Sequence, residues 1–274
     1  MNNYRGIALS SIFGKVLDNV IITAHKEVLS TCDMQFGFKK GHSTTQCTFN
    51  VEEIIKYYNN SNSSVYVMML DASQAFDRIN YVQLFNTLIT RGMCFLIVRL
   101  LMYVYCNQAV SVIWGNSVSS QFSVSNGVKQ GGVLSPILFT VYIDILFSEL
   151  KNIGLGCHVG NISAGSFGYA DDIILLSPTV YSLNIMYKLC KEFGEKYDII
   201  FNPHKSKLLV FGKTMQGVYI DDNYIECMPT EKHVAHLIGP QLGDKDIASK
   251  NVEIIMNTNH IMSVFGNASH ELKY

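Results

Sequence analysis

The chain contains 274 residues, of which 48% are hydrophobic and 16% are charged, and its formal net charge is −1. This composition excludes an intrinsically disordered chain, and it supplies a substantial core for one large domain or for one domain with a small appendage. The near-neutral charge argues mildly against a nucleic-acid binder, although a local basic patch would be sufficient for that function.

Two predicted helices lie on either side of a glycine-rich basic loop near the start of the chain. Apolar residues recur at helical spacing through residues 10–29, which predicts the first helix. The loop covers residues 36–43, and either Ser43 or Thr44 is a candidate to cap the second helix.

A predicted central strand and a predicted buried helix follow. The run from Val65 to Leu70 is continuous and favours β structure, so we expect a central strand that ends at Asp71. The longest apolar stretch, Met93 to Cys106, is too short to span a bilayer and predicts a buried helix. Because the first residues also lack a basic-then-apolar signal pattern, we expect a soluble, intracellular protein with no membrane contact.

The second half of the chain predicts hairpins and three further helices. Strands at about 108–114 and 118–125 are expected to pair around Gly115-Asn116. Ser135-Pro136 is typical of a helix start in which the serine caps the helix and the proline takes its first position. The remaining pattern predicts a helix at 180–198, strands at 206–211, 217–220, 223–227 and 234–238, and one helix after Asp244. Together these elements predict an α+β fold in which helices pack on one face of an antiparallel sheet.

The cysteines and histidines do not form a metal or disulfide pattern. Seven cysteines are scattered along the chain without a Cys-x-x-Cys pair, which argues against a zinc site or a disulfide framework and favours reduced thiols. The closest histidine pair, His233 and His236, is interpreted as a detail of a loop or strand.

Three aspartates are the candidate metal ligands. Asp171 and Asp172 stand between two apolar runs, and because buried unpaired carboxylates are costly, we expect a tight turn between two strands that faces a cleft. Asp71 is a third carboxylate at the end of another apolar run. Three carboxylates that meet in space suit two divalent cations, although a solvated turn and a strand-end cap would explain the same residues.

Several motifs, in their order along the chain, resemble those of reverse transcriptases. Those that resemble the palm of such an enzyme are Asp71–Asp77, Gly127–Pro136 and Tyr169–Asp172. Those that resemble the fingers of non-LTR (LINE-type) retrotransposon enzymes are Asn3–Leu9 and Gln35–Gly41. A later palm motif that supplies a lysine is similar to Asn202–Lys207. The resemblance covers about residues 3–243, and its specificity comes from the order and spacing of the motifs.

The resemblance implies an α+β polymerase right-hand fold, with an antiparallel palm sheet packed on helices. It implies partial fingers at 1–64, a palm at 65–212 that includes fingers segments at 93–126, and the palm end with a truncated thumb-like tail at 213–274. The implied activity is that of an RNA-directed DNA polymerase with an RNA template, a DNA primer and dNTPs, and with two Mg²⁺ ions or Mn²⁺ as a substitute. No protein partner is evident, and a nuclear location is implied by the resemblance only.

The resemblance also implies candidate catalytic roles. Asp71 and Asp171 would bridge the two metal ions, with Asp172 close by. Lys205 would protonate or neutralise the leaving pyrophosphate, and Lys207 is an alternative on the same face of the strand. Each lysine would otherwise be a solvated surface residue.

Candidate nucleotide-binding residues come from three segments. Phe76 would reject a ribose 2′-hydroxyl by its bulk, unless it is an ordinary core phenylalanine. Gln130 and Gly131 would lie against the nascent base pair, where a glycine lets the backbone approach the nucleotide closely. Lys39 and Lys40 would contact the triphosphate or the template backbone.

Some fingers positions depart from the family pattern. The family more often has arginine at the positions of Lys39 and His42, and proline at the position of Gly6. Since lysine lacks the bidentate fork of arginine, we expect weaker phosphate binding here. Arg5 matches the pattern and could meet a template phosphate, and Asp77 matches it as a structural hydrogen-bond partner.

Two other functions are the alternatives. The chain opens on a fingers motif, no endonuclease region precedes the palm and the thumb region is short, which would suit a catalytically inactive, transposon-derived remnant that binds nucleic acid or nothing. A di-metal hydrolase or nucleotide cyclase would use similar carboxylates, but such enzymes do not match Gln130-Gly131 and the fingers loop together. Primer extension on an RNA template would separate the remnant from an active polymerase.

Overall fold

A computed structural model describes residues 6–202, 205–213, 215–229, 231–233 and 236–238. The helices of this part of the chain are α1 (Ile12–Ala24), α2 (Thr44–Asn60), α3 (Ala75–Arg78), α4 (Tyr81–Thr90), α5 (Phe95–Cys106), α6 (Ser135–Asn152) and α7 (Val180–Tyr197). Its strands are β1 (Val65–Ser73), β2 (Ala109–Val110), β3 (Ile113–Trp114), β4 (Ser117–Val118), β5 (Phe122–Ser123), β6 (His158–Val159), β7 (Ile162–Ser163), β8 (Ser166–Tyr169), β9 (Asp172–Ser177), β10 (Ile200–Phe201), β11 (Lys207–Phe211), β12 (Gly217–Ile220), β13 (Asn223–Glu226), β14 (Glu231–His233) and β15 (His236–Ile238). The mixture of helices and antiparallel strands confirms the α+β class.

The main sheet has five strands, and β1 lies at its centre. On one side β1 pairs with β9, which in turn pairs with β8, and both pairings are antiparallel. On the other side β1 pairs with β11 through Val65–Met69 and with β10 at Ala72 and Ser73. The predicted central strand is therefore confirmed, although it continues past Asp71 to Ser73.

The core lies on both faces of this sheet. Met68 and Leu70 of β1 belong to a hydrophobic cluster with residues of α4, α6 and α7, whereas Val67 and Met69 belong to a second cluster with residues of α2. Successive side chains of a strand point to opposite faces, so the expectation of helices on one face only is wrong. Each fully buried side chain of this size stabilises the fold by about 1.5–3 kcal/mol, and these two layers fix β1 in place.

The first two helices begin at polar caps. α1 follows Ser11, whose side chain accepts a hydrogen bond from the next turn, and it ends at Ala24 rather than at Leu29 as predicted. α2 follows Ser43, which forms a reciprocal capping box with Gln46. Of the two candidate caps for this helix, Ser43 is therefore the one used.

The helix predicted over the apolar stretch Met93–Cys106 is only partly buried. α5 buries Val98 and Leu101, but it exposes Phe95 and Tyr103. Apolar content predicts a helix but not which side the rest of the protein covers, so the expectation of a fully buried helix is wrong. In the described ranges, no helix combines the length and the apolar character that crossing a membrane requires.

The start of α6 differs from the predicted serine cap. Ser135 is the first helical residue, Leu134 occupies the capping position, and Pro136 lies in the first turn. The backbone N–H of Leu134 donates to Oδ2 of Asp18 on α1 at 3.2 Å, and a carboxylate is favoured at the positive end of the helix dipole. The Ser135 side chain instead lies near the hydroxyl of Tyr105, whose pKa is raised by burial.

The smaller ladders lie outside the main sheet. Residues 108–125 form two short ladders instead of two continuous strands: β3 pairs with β4 across Gly115-Asn116, as predicted, and β2 pairs with β5. β12 pairs with β13, and β14 pairs with β15. The helix predicted after Asp244 lies outside the described residues.

Candidate active site

Asp71 and the Asp171-Asp172 pair meet at one end of the main sheet. In the β1–β9 ladder, Asp71 lies directly opposite Asp172. In the β8–β9 hairpin, Tyr169 lies opposite Asp172, which leaves Ala170 and Asp171 as the turn. Residues directly opposite one another in an antiparallel pair have Cβ atoms about 4.5–5.5 Å apart. The register therefore brings together carboxylates that are far apart in the sequence.

These aspartates stand at the boundary between the core and solvent. Ile173 and Ile174 of β9 are buried, whereas Asp172 before them is exposed. The side chain of Asp71 is 42% exposed. Because the carboxylates keep much of their hydration, their charges do not carry the full cost of burial. The expected tight turn between two strands is thus confirmed.

Lys205 lies beside this group of carboxylates. Its Nζ is 3.9 Å from Oδ2 of Asp71, and its side chain is 64% exposed. An ion pair so open to solvent contributes about 0–1 kcal/mol, so stability gives little reason for a lysine at this place. Lys207, the alternative candidate, pairs with Met69 in the β1–β11 ladder. The chemical role of either lysine stays a prediction.

The donor chemistry of the three aspartates fits Mg²⁺ or Mn²⁺, since these ions prefer carboxylate oxygens. Among the residues that the structure describes, no three or more His, Cys, Asp or Glu side chains are arranged as a complete metal-binding group. The fit therefore consists of the cross-strand pair Asp71 and Asp172, with Asp171 in the adjoining turn. The sheet register thus brings the candidate ligands together, and metal binding by them stays a prediction.

A buried glutamine, missed by the sequence analysis as a site residue, holds the turn between β8 and β9. Gln35 is 0% exposed. Its Oε1 accepts a hydrogen bond from the backbone N–H of Ala170 at 3.0 Å, and its Nε2 donates to the Ala170 carbonyl at 3.4 Å. In the sequence Gln35 is one letter of a fingers motif, and a single glutamine has no periodic pattern that would predict this contact.

Phe76 lies on α3, immediately after β1, and is partly buried. Its ring stacks on that of Phe139 with centroids 4.5 Å apart and planes at 15°. The ring of Phe38, in the fingers loop, approaches it edge-on with centroids 6.5 Å apart. The core and gating interpretations of Phe76 therefore coexist, and gating stays a prediction.

The loop that carries Gln130 and Gly131 is tied to neighbouring segments. The Gln130 side chain donates from Nε2 to Oδ1 of Asp77 at 3.1 Å, which agrees with the interpretation of Asp77 as a hydrogen-bond partner. The Gln130 carbonyl accepts from the backbone N–H of Ala8 at 2.7 Å. Gly131 has φ 103°, and a Cβ there would lie 3.0 Å from the carbonyl oxygen of Ala8. Glycine is thus required by the backbone, whatever contact it makes with a nucleotide.

The two fingers lysines have different surroundings. Lys39 donates from Nζ to the carbonyls of Thr31 and Cys32 at 3.0 and 2.9 Å, and it lies 3.7 Å from Oδ1 of Asp33. Its ammonium group therefore ties the base of its own loop together. Lys40 is exposed. Phosphate binding by either lysine stays a prediction.

A partly buried ion pair, also missed by the sequence analysis, anchors the segment before the fingers loop. Asp144 on α6 pairs with Arg91 and accepts from the backbone N–H of Cys32 at 2.8 Å. Arg91 also donates to the carbonyl of Ser30 at 2.6 Å. Burial, with Asp144 adding to it, raises the pKa of the Cys32 thiol to about 12. A lone aspartate in the apolar stripe of α6 is the sequence signal that would have indicated this pair.

Comparisons with known proteins point to one family. Residues 1–237 match the family described as "Reverse transcriptase (RNA-dependent DNA polymerase)". The Retrovirus-related Pol polyprotein from type-2 retrotransposable element R2DM of Drosophila melanogaster is 26% identical over 191 residues, which cover 70% of this chain and 18% of that protein. The RNA-directed DNA polymerase from mobile element jockey of Drosophila funebris is 22% identical over 258 residues, which cover 88% of this chain and 27% of that protein. The chain therefore spans less than a third of the length of either relative.

Solved structures with a similar fold include two telomerases. That of Candida albicans in complex with a TWJ fragment of telomeric RNA has a TM-score of 0.55 and 11% identity, and the match covers 83% of this chain and 37% of that one. The apo telomerase of Candida tropicalis truncated from its C-terminal domain has a TM-score of 0.54 and 13% identity, and the match covers 83% of this chain and 43% of that one. At these identities the likeness concerns the fold alone.

Proposed function

Because the chain belongs to the reverse transcriptase family of RNA-dependent DNA polymerases, we propose that it extends the 3′ end of a DNA primer along an RNA template, using dNTPs and releasing pyrophosphate. The observation that carries the proposal is the register that sets Asp71 opposite Asp172, with Asp171 in the adjoining turn. Like charges directly opposite one another destabilise a ladder, typically by about 0.2–1 kcal/mol. A bound divalent cation would offset this repulsion by neutralising the facing carboxylates.

The three aspartates are the proposed ligands of two Mg²⁺ ions, with Mn²⁺ as a substitute. When bound, such ions lower the pKa of the primer 3′-hydroxyl and neutralise the triphosphate. Asp71 and Asp171 would bridge the ions, and Asp172 would lie beside them. The chain itself contributes the buried strands β1 and β9, which hold the carboxylates together before substrate arrives.

Other side chains around the aspartates are proposed to bind and select the nucleotide. Lys205 would neutralise or protonate the leaving pyrophosphate, which its 3.9 Å distance from Asp71 supports. Phe76 would exclude ribonucleotides through the ring that Phe139 fixes in place. Gln130 and Gly131 would lie against the nascent base pair.

The fingers loop is proposed to contact phosphates. Lys40 is exposed and needs no rearrangement to do so. Lys39 would have to leave the carbonyls of Thr31 and Cys32 to reach a phosphate. We propose that 1–64 form part of the fingers, 65–212 the palm and 213–274 the palm end and a thumb-like tail, of which residues 239–274 lie outside the described part of the chain. A nuclear site of action is proposed from the family resemblance.

Primer extension tests the proposed activity. Purified protein is incubated with Mg²⁺, poly(rA), oligo(dT) and dTTP, and we expect the primer to be extended. Asp171→Asn is expected to abolish extension while retaining template binding, whereas Asp222→Asn, an exposed aspartate in another hairpin, should extend normally. Template binding should weaken as salt rises, because phosphate contacts release counterions.

A non-catalytic, nucleic-acid-binding role is the second candidate. The observation that favours it is that the described residues include no complete metal-binding group of three or more side chains. Under this alternative, the unmutated chain would bind primer–template without extending it in either Mg²⁺ or Mn²⁺. Extension that Asp171→Asn removes would exclude it.

A further inference from the structure

We propose that Gln35 is a positioning residue that holds the Ala170-Asp171 turn in the conformation from which Asp171 and Asp172 bind metal. This inference deepens the proposed polymerase function and rests on it. The role assigned to Gln35 does not require contact with the aspartate side chains or with the reacting atoms. It acts on the backbone that carries them, through hydrogen bonds across 135 residues of sequence.

The side chain of Gln35 uses both ends of its amide on this turn. Oε1 accepts from the backbone N–H of Ala170 at 3.0 Å and from the backbone N–H of Gly37 at 2.8 Å. Nε2 donates to the carbonyl of Ala170 at 3.4 Å. A glutamine amide is well suited to this arrangement because it combines an acceptor oxygen with a donor nitrogen. Both backbone polar groups of Ala170 thereby obtain a partner in the protein.

The turn needs an external partner because its backbone conformation is unfavourable. Ala170 has φ 59°, in the left-handed region that disfavours a residue with a Cβ. Ala170 is also buried, so water cannot readily replace a lost hydrogen bond to its N–H or carbonyl. Such a conformation persists only where the surrounding structure over-determines it. Gln35 supplies that constraint at the residue immediately before Asp171.

The backbone around Gln35 is fitted to the hairpin on both sides. The backbone N–H of Phe36 donates to the carbonyl of Gly168 at 2.7 Å, and the N–H of Gly168 donates to the carbonyl of Met34 at 2.9 Å. A Cβ on Gly37 would lie 2.4 Å from the backbone nitrogen of Ala170. The fingers segment thus lies against the hairpin at backbone distance, and a shift of this segment would move the turn.

Gln108 provides a matched control for the loss of a buried glutamine. Its side chain is 9% exposed, and its Nε2 donates to the hydroxyl of Tyr81 at 2.6 Å. It lies between α5 and β2, outside the hairpin. Gln35→Met and Gln108→Met remove the same atoms from buried sites, so they separate a general loss of stability from an effect on the aspartates.

Metal affinity is the first readout, because it does not require activity. Free Mn²⁺ is measured by EPR with wild-type protein, Gln35→Met, Gln108→Met and Asp171→Asn. We expect Gln35→Met to weaken Mn²⁺ binding about tenfold or more, as outer-shell substitutions commonly do, and Gln108→Met to leave it within about twofold. Gln35→Asn keeps a polar amide but shortens the side chain by one methylene, which withdraws the amide from Ala170, and it replaces Gln35→Met if that variant does not fold. Equal Mn²⁺ affinity in wild type and in the Gln35 variant would overturn the inference.

Second-site rescue distinguishes positioning of the turn from a merely structural role. In Gln35→Met/Ala170→Gly, glycine adopts the positive φ without a Cβ, so Mn²⁺ affinity and kcat for single-nucleotide addition should recover at least partly. In Gln35→Met alone, kcat should fall with an unchanged Kd for primer–template. A reduced kcat that Ala170→Gly does not raise would overturn the inference.

Hydrogen exchange at the hairpin, together with the binding and activity assays, shows whether the polymerase proposal or only the positioning role of Gln35 has failed. Gln35→Met is expected to speed exchange of the Ala170 amide, and Gln108→Met is not. If wild type neither binds Mn²⁺ nor extends a primer, the polymerase proposal fails, and the positioning role fails with it even where the amide is protected. If wild type is active and Gln35→Met matches Gln108→Met in every assay, only the positioning role fails.

Discussion

Two hairpins of this protein carry an Asp-Asp pair at or beside the turn, and they have very different surroundings. The first joins β8 to β9 and contains Asp171 and Asp172, and the second joins β12 to β13 through Asp221 and Asp222. In the second hairpin, Asp221 forms an ion pair with Lys191 at 2.7 Å, and both aspartates have positive φ. Of the two, only the first hairpin pairs with the central strand β1, where Asp172 lies opposite Asp71.

The comparison shows that the dipeptide does not define the chemistry. The strands β12 and β13 pair only with one another in the described sheets. Their turn is held by the ion pair with Lys191 and by Asn184 of α7, whose side chain accepts from the Asp221 N–H at 2.9 Å and donates to the Tyr219 carbonyl at 3.1 Å. β9 also pairs with β1, which sets like charges opposite one another and places Lys205 nearby. Register in a larger sheet, and not the pair of letters, is what indicates a metal site.

We expect the largest difference between the two hairpins when one aspartate in each is neutralised and the rate of primer extension is measured. Asp171→Asn should lower the rate of primer extension by about 10³-fold or more, because a metal-stabilised transition state loses several kcal/mol. Asp222→Asn should stay within about twofold of wild type, since a solvated turn contributes nothing to the reaction. Single-turnover extension under saturating dTTP measures both. Comparable losses in the two variants would remove the distinction between the hairpins.

The lysine beside each hairpin provides the next contrast. Lys205→Met should lower kcat by about 10²-fold, the usual contribution of a positioned proton donor, while leaving stability nearly unchanged because the pair with Asp71 is exposed. Lys191→Met removes the ion pair with Asp221 and should change neither kcat nor the unfolding midpoint measurably. The assay is extension combined with urea unfolding. An unchanged kcat in Lys205→Met would show that Lys205 is a solvated surface lysine with no part in the reaction.

Two glycines test the fit of the backbone: Gly37, which packs against the first hairpin, and Gly217, which is the first residue of β12 in the second. A Cβ on Gly37 would lie 2.4 Å from the nitrogen of Ala170, and a Cβ on Gly217 would lie 2.5 Å from the carbonyl oxygen of Ile225. Both Gly37→Ala and Gly217→Ala should destabilise the fold by about 1–3 kcal/mol, as overpacking does. Only Gly37→Ala should also lower kcat, by up to about 10²-fold, because a displacement near 1 Å of catalytic groups has effects of that size. We therefore expect Gly37→Ala and Gly217→Ala to have similar unfolding curves but different kcat values.

The same contrast explains what the sequence could predict. The Asp171-Asp172 turn was predictable because the apolar runs on both sides form buried strands, and two charged carboxylates between buried strands are favoured only at a turn. The true start of α6, with Leu134 at the capping position, was not predictable, because the carboxylate that accepts from the Leu134 N–H is that of Asp18, 116 residues away. Gln35 was missed for the same reason, since its contacts with Ala170 depend on how the fingers segment lies on the sheet. Features that depend on neighbouring residues could be predicted from the sequence, whereas contacts between distant segments could not.

The smallest expected effect concerns stability, and its sign depends on metal. Without divalent ions, Asp71 and Asp172 repel one another across the ladder, so Asp172→Asn should stabilise the fold by about 0.2–1 kcal/mol in EDTA. With Mg²⁺ at about ten times its Kd, wild type should gain about 1.4 kcal/mol from binding, and the order of the two proteins should reverse. Asp222→Asn should follow wild type in both conditions. Urea unfolding in EDTA and in Mg²⁺ measures the change, and the absence of any Mg²⁺ effect on wild type would mean that the facing aspartates do not bind the ion.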